Sequence, residues 1–99
     1  MIYICGDLYS RTPISEAEYT IAERKLISIG YDVRSGKEAF RNDYSREKVM
    51  RESLKILCDC DGLAMLSSAK QSRQAGFEIK AALELGIPVM PLEWWLNEL

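Results

Sequence analysis

The chemistry open to this chain is narrowed by one absence, because its 99 residues include no histidine. Serine–histidine–aspartate triads, cysteine–histidine pairs and histidine-based zinc sites are therefore excluded. Any catalysis must rely on carboxylates, tyrosine, serine or cysteine. The cysteines, Cys5, Cys58 and Cys60, fit neither a secreted disulfide framework nor a four-ligand metal cage. We expect no metal, no cofactor and a cytoplasmic location.

Three short features carry residues of the types that remain. In chain order they are Tyr3-x-Cys5-Gly6, Asp61 and Ser72-x-x-Ala75-Gly76-Phe77-Glu78. Taken alone, each has an ordinary structural interpretation: Tyr3 is a core aromatic, Ser72 a helix cap and Glu78 a solvated surface charge. Asp61 could simply cap a strand end. Whether these three features lie close together depends on the strands and helices that carry them.

Strand and helix patterns alternate along the chain. The sequence predicts strands over 2–5, 31–33, 61–66 and 87–90 and helices over 15–30, from Ser45, up to Gly86 and over 92–99. This order predicts an α/β fold with a doubly wound, mostly parallel, flavodoxin-like sheet of four to five strands and flanking helices. The chain is expected to be a single domain, 1–99. Ligands of such sheets bind beyond the carboxyl ends of the strands, here the loops 6–13 and 67–73.

The first helix carries the clearest local signals. Ser15 and Glu18 have the spacing of a capping box, and Gly30 is a natural residue to follow the helix end. The apolar stripe predicted to face the core is Ile14, Ala17, Ile21, Ala22, Leu26 and Ile29.

Charge and hydropathy exclude two classes of partner. Thirteen basic and fifteen acidic residues leave a formal charge of −2, so no overall positive field attracts duplex nucleic acid. No stretch approaches the 18 or so apolar residues needed to span a membrane, and the amino terminus lacks the features of a signal peptide.

The segment from Ala75 to Val89 carries a resemblance to a known family. Its pattern is Ala75-Gly76-Phe77-Glu78-Ile79-x-x-Ala82-x-x-Leu85-Gly86-Ile87-Pro88-Val89. With Tyr3-x-Cys5-Gly6, it resembles the nucleoside 2-deoxyribosyltransferase superfamily. Within it, the chain is most similar to 2′-deoxynucleoside 5′-monophosphate N-glycosidases and to a small family of unassigned function often found in phages. The resemblance extends over most of the chain.

The resemblance implies roles for particular residues. Glu78 matches the glutamate that attacks the anomeric carbon, a step in which a carboxylate stabilises developing oxocarbenium charge. Tyr3 matches the tyrosine that orients this glutamate, and Ser72 matches a position that contacts substrate or its phosphate. The further residues expected to line the ligand site are Gly6, Asp7, Asp61 and Gly76.

Two positions depart from the pattern of these relatives. Ser53, eight residues before Asp61, replaces an aspartate that commonly protonates the leaving base, and a serine hydroxyl is no acid of useful pKa. Asp7 replaces a small hydroxyl residue, and its carboxylate would repel a phosphate dianion.

We therefore expect a chain that binds a deoxynucleoside or its monophosphate and hydrolyses or transfers at the N-glycosidic bond. The alternative is a catalytically silent module that binds or sequesters a nucleotide-like metabolite. Trp94 and Trp95 either close the core or form a subunit contact, since exposed tryptophan is rarely left uncovered. The superfamily's members are oligomers, so a homo-oligomer is expected. An adaptor acting through the two tryptophans is a third interpretation.

Overall fold

The fold is described from a computed structural model that covers residues 1–8 and 12–98. In this part of the chain the strands are β1 (Ile2–Cys5), β2 (Val33–Ser35), β3 (Gly62–Met65) and β4 (Val89–Pro91). The helices are α1 (Pro13–Ser28), α2 (Arg46–Cys58), α3 (Arg73–Glu84) and α4 (Leu92–Trp95), with 3-10 helices at Gly36–Ala39 and Ser67–Gln71. Residues 9–11 of the predicted ligand loop lie outside the described residues.

The four strands form one parallel sheet in the order β2-β1-β3-β4. The predicted α/β fold with a parallel sheet and flanking helices is confirmed, with four strands. The chain runs outward from β1 to β2 and then continues on the other side of β1 with β3. The strand order therefore reverses beside the carboxyl end of β1, which is where such sheets bind ligands.

The two faces of the sheet bury two separate apolar clusters. Ile2 and Ile4 pack with residues of α1 on one face. Tyr3 and Cys5 point to the other face and pack with residues of α2 and α3. Because side chains alternate along a strand, the Tyr3 phenol and the Cys5 thiol of β1 both point toward the same pair of helices.

Helix α1 begins earlier than predicted. Thr12 is its amino-terminal cap and accepts a hydrogen bond from the Ser15 N–H at 3.1 Å, while Pro13 occupies the first turn, where no N–H is needed. The capping box of Ser15 with Glu18 is therefore wrong. Glu18 instead accepts hydrogen bonds from the backbone N–H and hydroxyl of Ser67, which tie α1 to the segment after β3.

The buried face of α1 also differs from the predicted stripe. Ala22 and Leu26 are buried as expected, but Ile14 is 84% exposed and Ile21 52%. Tyr19 takes the inward position instead and is 2% exposed. Its hydroxyl accepts a hydrogen bond from the Gly6 N–H at 3.0 Å, a polar contact that an apolar pattern does not reveal.

The limits of the short strands differ from the predicted ones by one or two residues. The second strand is Val33–Ser35 rather than 31–33, and the last is Val89–Pro91 rather than 87–90. The polar segment after β2 continues as a 3-10 helix because Ser35 and Glu38 form a capping box there. Ser45 caps α2 as predicted, and Gly30 and Gly86 have positive φ angles just past α1 and α3.

Trp95 covers the core at the start of β3, beside Gly62. Its indole N–H donates to the carbonyl oxygens of Leu63 at 3.0 Å and Met90 at 3.2 Å. The ring lies directly over Gly62, where an added Cβ would stand 2.3 Å from a ring carbon. Trp94 packs edge to face against Trp95 and remains 45% exposed. None of the described helices combines the length and apolarity that a membrane crossing requires.

Candidate functional site

The carboxylate of Glu78 is fully buried at the carboxyl ends of the strands, with an exposed fraction of 0%. The Tyr3 hydroxyl donates to Glu78 Oε2 and the side-chain amide of Gln74 donates to Oε1. The Cys5 thiol donates to the same Oε1 at 3.5 Å. The structure thus brings Tyr3 and Glu78, which the resemblance paired, into direct contact.

Helix and strand periodicity explain this meeting. Tyr3 and Cys5 lie two residues apart on β1 and therefore share its face toward α3. Gln74 and Glu78 lie four residues apart on α3 and therefore share one helix face. The close packing of Ala75 and Ala82, both 0% exposed, brings the axis of α3 near the sheet. Four side chains from two elements converge as a result.

Burial sets the protonation behaviour of this cluster. Loss of solvent raises the pKa of Glu78 to about 7, although the hydrogen bonds from Tyr3, Cys5 and Gln74 each favour the ionised form. Burial and the neighbouring carboxylate raise the pKa values of the Tyr3 phenol and the Cys5 thiol, so both stay protonated and act as donors. A carboxyl group that titrates near neutral pH is a common property of functional sites.

Gln74 joins this cluster to the loop after β1. Its Oε1 accepts a hydrogen bond from the Leu8 N–H at 3.4 Å and another from the Ser72 hydroxyl at 3.1 Å. Ser72 also caps α3, because its Oγ accepts from the Ala75 N–H at 3.1 Å. Glu78 has no exposed surface, so neighbouring groups such as Gln74, which is bonded to it, must move before a ligand can reach the carboxylate.

A cleft of about 290 Å³ opens on the other side of Leu8. Asp7, Leu8 and Tyr19 line it on one side, and Lys37 and Arg41 on the other. Its volume would hold a sugar-sized group, and it lies at the predicted edge of the sheet. Leu8 lines this cleft and Glu78 does not.

The two backbone N–H groups that follow β1 both donate hydrogen bonds to side chains of the protein. The Gly6 N–H donates to Tyr19, and the Asp7 N–H donates to Ser68 Oγ at 2.9 Å. A Cβ at Gly6 would lie 2.9 Å from both Leu66 Cδ1 and Ser68 Oγ, so a larger residue would require these side chains to shift. Gly6 therefore has a packing reason to be glycine, and Asp7 lines the 290 Å³ cleft.

Ser53 lies beside the same cluster. It is 1% exposed, and its hydroxyl has no hydrogen-bond partner among the described residues. A Cβ placed on Gly36 would be 2.9 Å from Ser53 Oγ and 3.1 Å from both the Tyr3 hydroxyl and Leu8 Cδ2, which shows how closely these groups surround Gly36. The position of the acid expected from the resemblance therefore lies close to Tyr3 but holds a neutral hydroxyl with no partner among the described residues.

Two of the expected ligand residues lie elsewhere. Asp61 precedes β3 and so lies at the amino ends of the strands, where its carboxylate pairs with the amino group of Met1 at 2.7 Å and is 82% exposed. Its assignment to the ligand site is corrected: parallel strands place their two ends at opposite edges of the sheet. Gly76 is on the exposed side of α3, with open space where a Cβ would be.

The sequence analysis missed Gln74, which contacts Glu78, and Leu8, whose N–H donates to Gln74. The four-residue spacing between Gln74 and Glu78 could have indicated the first, once Glu78 was taken to face inward. Nothing local indicated Leu8, whose position depends on the path of the loop. Within residues 1–8 and 12–98, no three cysteine or acidic side chains gather in a way that could hold a metal ion.

Comparison with known proteins gives a family but no named relative. No curated protein matches the chain, and no solved structure matches it. A family model described as "Domain of unknown function (DUF4406)" matches residues 1–91, which include every strand and the whole of the Glu78 cluster. The chain therefore belongs to the DUF4406 family.

Proposed function

We propose that the chain binds a 2′-deoxynucleoside or its 5′-monophosphate and cleaves or exchanges the N-glycosidic bond through Glu78. The observation that carries the proposal is the buried Glu78 carboxylate held by the Tyr3 hydroxyl beside the point where strand order reverses. The resemblance of the sequence to deoxyribosyltransferases supports the choice of reaction.

The proposed reaction has two steps. An ionised Glu78 oxygen attacks the anomeric carbon, the bond from that carbon to the base nitrogen breaks, and its electron pair leaves with the base. Water, or the nitrogen of a second base, then attacks the same carbon and releases the Glu78 carboxylate. Tyr3 holds the carboxylate in place through its hydrogen bond to Oε2.

The mechanism also requires that the leaving base be protonated or depart as an anion. Ser53 lies in the right region but cannot act as an acid near neutral pH. A base that already leaves readily as an anion, or an acid supplied by another subunit of the expected homo-oligomer, meets this need. We therefore expect activity to be greatest on nucleosides whose base is a good leaving group.

Activity should also depend on access to Glu78. Neighbouring groups such as Gln74 must move away from Glu78 before a sugar can reach the carboxylate. Because attack needs the ionised carboxylate and its pKa is about 7, the rate should rise with pH through neutrality.

The test is to incubate the purified chain with deoxynucleosides and their 5′-monophosphates and to measure released base by chromatography. We expect Glu78→Gln to abolish release and Tyr3→Phe to reduce it by about tenfold or more. Glu84→Gln is the matched control, because Glu84 lies on the exposed side of the same helix. Equal release by Glu78→Gln would overturn the assignment of the nucleophile.

A silent binding module is the second candidate, and two observations favour it. Ser53 replaces the acid, and Glu78 is closed off by Gln74. Such a module would be stabilised by a nucleotide ligand without releasing base, by about 2.7 kcal/mol at a hundredfold excess over Kd. Thermal-shift measurements on the same panel of compounds therefore separate the two candidates.

A further inference from the structure

A second cleft, of about 450 Å³, lies between the amino-terminal halves of α2 and α3. We call it the arginine cleft. Its lining residues are Arg46, Glu47, Met50, Arg51, Arg73, Gln74 and Phe77. Apart from Gln74, its lining residues have no part in the proposed cleavage reaction and are not among the predicted ligand residues.

The charge of the arginine cleft is opposite to that of the whole chain. Three arginines and one glutamate give its lining a formal charge of +2, against −2 for the whole chain. Arg51 and Arg73 have no ion-pair or hydrogen-bond partner in the part of the chain that the structure describes. Unpaired guanidinium groups that share a concave site are well suited to binding an oxyanion.

The helix ends add to this argument. Arg46 and Arg73 are the first residues of α2 and α3, where the helix dipole is positive and acidic residues are the stabilising choice. Placing arginine at both positions therefore costs some stability, which an anion bound between the two helix ends would offset.

The cleft also offers a flat apolar surface. The Phe77 ring is 57% exposed, and Met50 beside it is half-buried. An exposed aromatic ring next to guanidinium groups favours a ligand that joins an anionic group to a planar ring. A second copy of the chain fits less well, because a two-fold contact on this patch would bring arginines of like charge together.

We propose that the arginine cleft binds a phosphate group carried by a compound with a planar ring, with Arg51 and Arg73 contacting the phosphate and Phe77 stacking on the ring. The site does not depend on cleavage by Glu78. The phosphate could belong to the nucleotide that is cleaved or to a separate ligand, and the two sources share this chemistry.

The test is calorimetric titration of the full chain with inorganic phosphate, a nucleoside 5′-monophosphate and the corresponding nucleoside. We expect the monophosphate to bind at least tenfold more tightly than either of the others. Arg51→Gln and Arg73→Gln should each weaken it by about tenfold or more. Phe77→Ala should weaken the monophosphate but not inorganic phosphate. Arg24→Gln, the same change of charge at an exposed position of α1, should alter nothing.

Binding that is unchanged in both arginine variants, or a nucleoside that binds as tightly as its monophosphate, would overturn the proposal. A sedimentation result could also overturn it. If the natural chain is an oligomer that binds no phosphate and the arginine variants dissociate that oligomer, the cleft is a subunit contact. Inhibition of base release by inorganic phosphate would assign the phosphate to the cleaved nucleotide, and binding without inhibition would assign it to a separate ligand. Calorimetry supports or refutes the site even if no compound is cleaved.

Discussion

The buried carboxyl of Glu78 predicts an unusual dependence of stability on pH. In the unfolded chain this group titrates near its ordinary pKa of 4.5, whereas in the folded chain the pKa is about 7. Between these values the folded state holds a proton that the unfolded state has released. The free energy of unfolding therefore falls as pH rises through this window, the reverse of what a salt-bridged carboxylate produces.

The size of the effect follows from the two pKa values. Each unit of difference corresponds to about 1.4 kcal/mol, so between pH 5 and pH 8 the Glu78 carboxyl should lower the free energy of unfolding by about 2–3 kcal/mol. For a domain of this size that corresponds to roughly 10–20 °C in Tm. Glu78→Gln has no titratable group at this position and should lose this part of the pH dependence.

The assay is urea unfolding followed by circular dichroism at several pH values for the natural chain and for Glu78→Gln. The difference in unfolding free energy between the two removes the contributions of all other titrating groups. The ionised carboxylate should make the natural chain progressively less stable relative to the variant as pH rises. A difference that stays constant from pH 5 to pH 8 would refute the assignment of a buried, neutral-pH carboxyl.

A second variant tests the role of the phenol. The hydrogen bond from Tyr3 favours the ionised form of Glu78, so Tyr3→Phe should raise the pKa of Glu78 further and move the loss of stability to higher pH. Tyr44→Phe, which removes a phenol outside the cluster, should leave the midpoint unchanged. A Tyr3→Phe midpoint at or below that of the natural chain would contradict the hydrogen-bond assignment.

Three further predictions concern stability, and urea unfolding tests each of them. Gly62→Ala should destabilise the fold by about 3 kcal/mol, because the added Cβ would overlap the Trp95 ring, and an unchanged midpoint would contradict that packing. Gly76→Ala should stabilise it by about 0.5–1 kcal/mol, because the added methyl meets open space within a helix, and a loss of stability would mean that this space is filled. Ser72→Ala should cost about 1 kcal/mol through loss of the α3 cap, and a neutral effect would argue against that cap.

The architecture could be predicted because its signals are local and repeated. Strand-like and helix-like segments alternate with glycines at the helix ends, and Gly30 and Gly86 have the expected positive φ. Which face of a helix is buried was harder to predict. In α1 the isoleucines suggested one face, but the hydrogen bond from Gly6 to the Tyr19 hydroxyl fixes another, and that partner lies thirteen residues away.

The site was predictable only in part, for a related reason. Its residue type alone makes Glu78 a surface charge, and only the resemblance of its surroundings to a known family suggested that it faces Tyr3. Its hydrogen bond from Gln74, and the bond from the Leu8 N–H to Gln74, join parts of the chain that meet only in the tertiary fold. Asp61 was predicted to lie at the ligand site because it adjoins β3. It precedes the amino end of that strand, however, and ligands bind at the carboxyl end.

Trp95 has a practical consequence for choosing where to cut this chain. The family match stops at residue 91, yet the indole that fills the space over Gly62 lies four residues later. A truncated chain that ends at the boundary of the match would lose this aromatic plug and leave the carbonyl oxygens of Leu63 and Met90 without their donor. Trp95 is half-buried, so its loss should cost up to about 3 kcal/mol, the lower end of the range for a core tryptophan and a large share of the stability of a small domain. Expression boundaries should therefore extend beyond α4, and a homologue with a larger residue in place of Gly62 should carry a smaller one in place of Trp95.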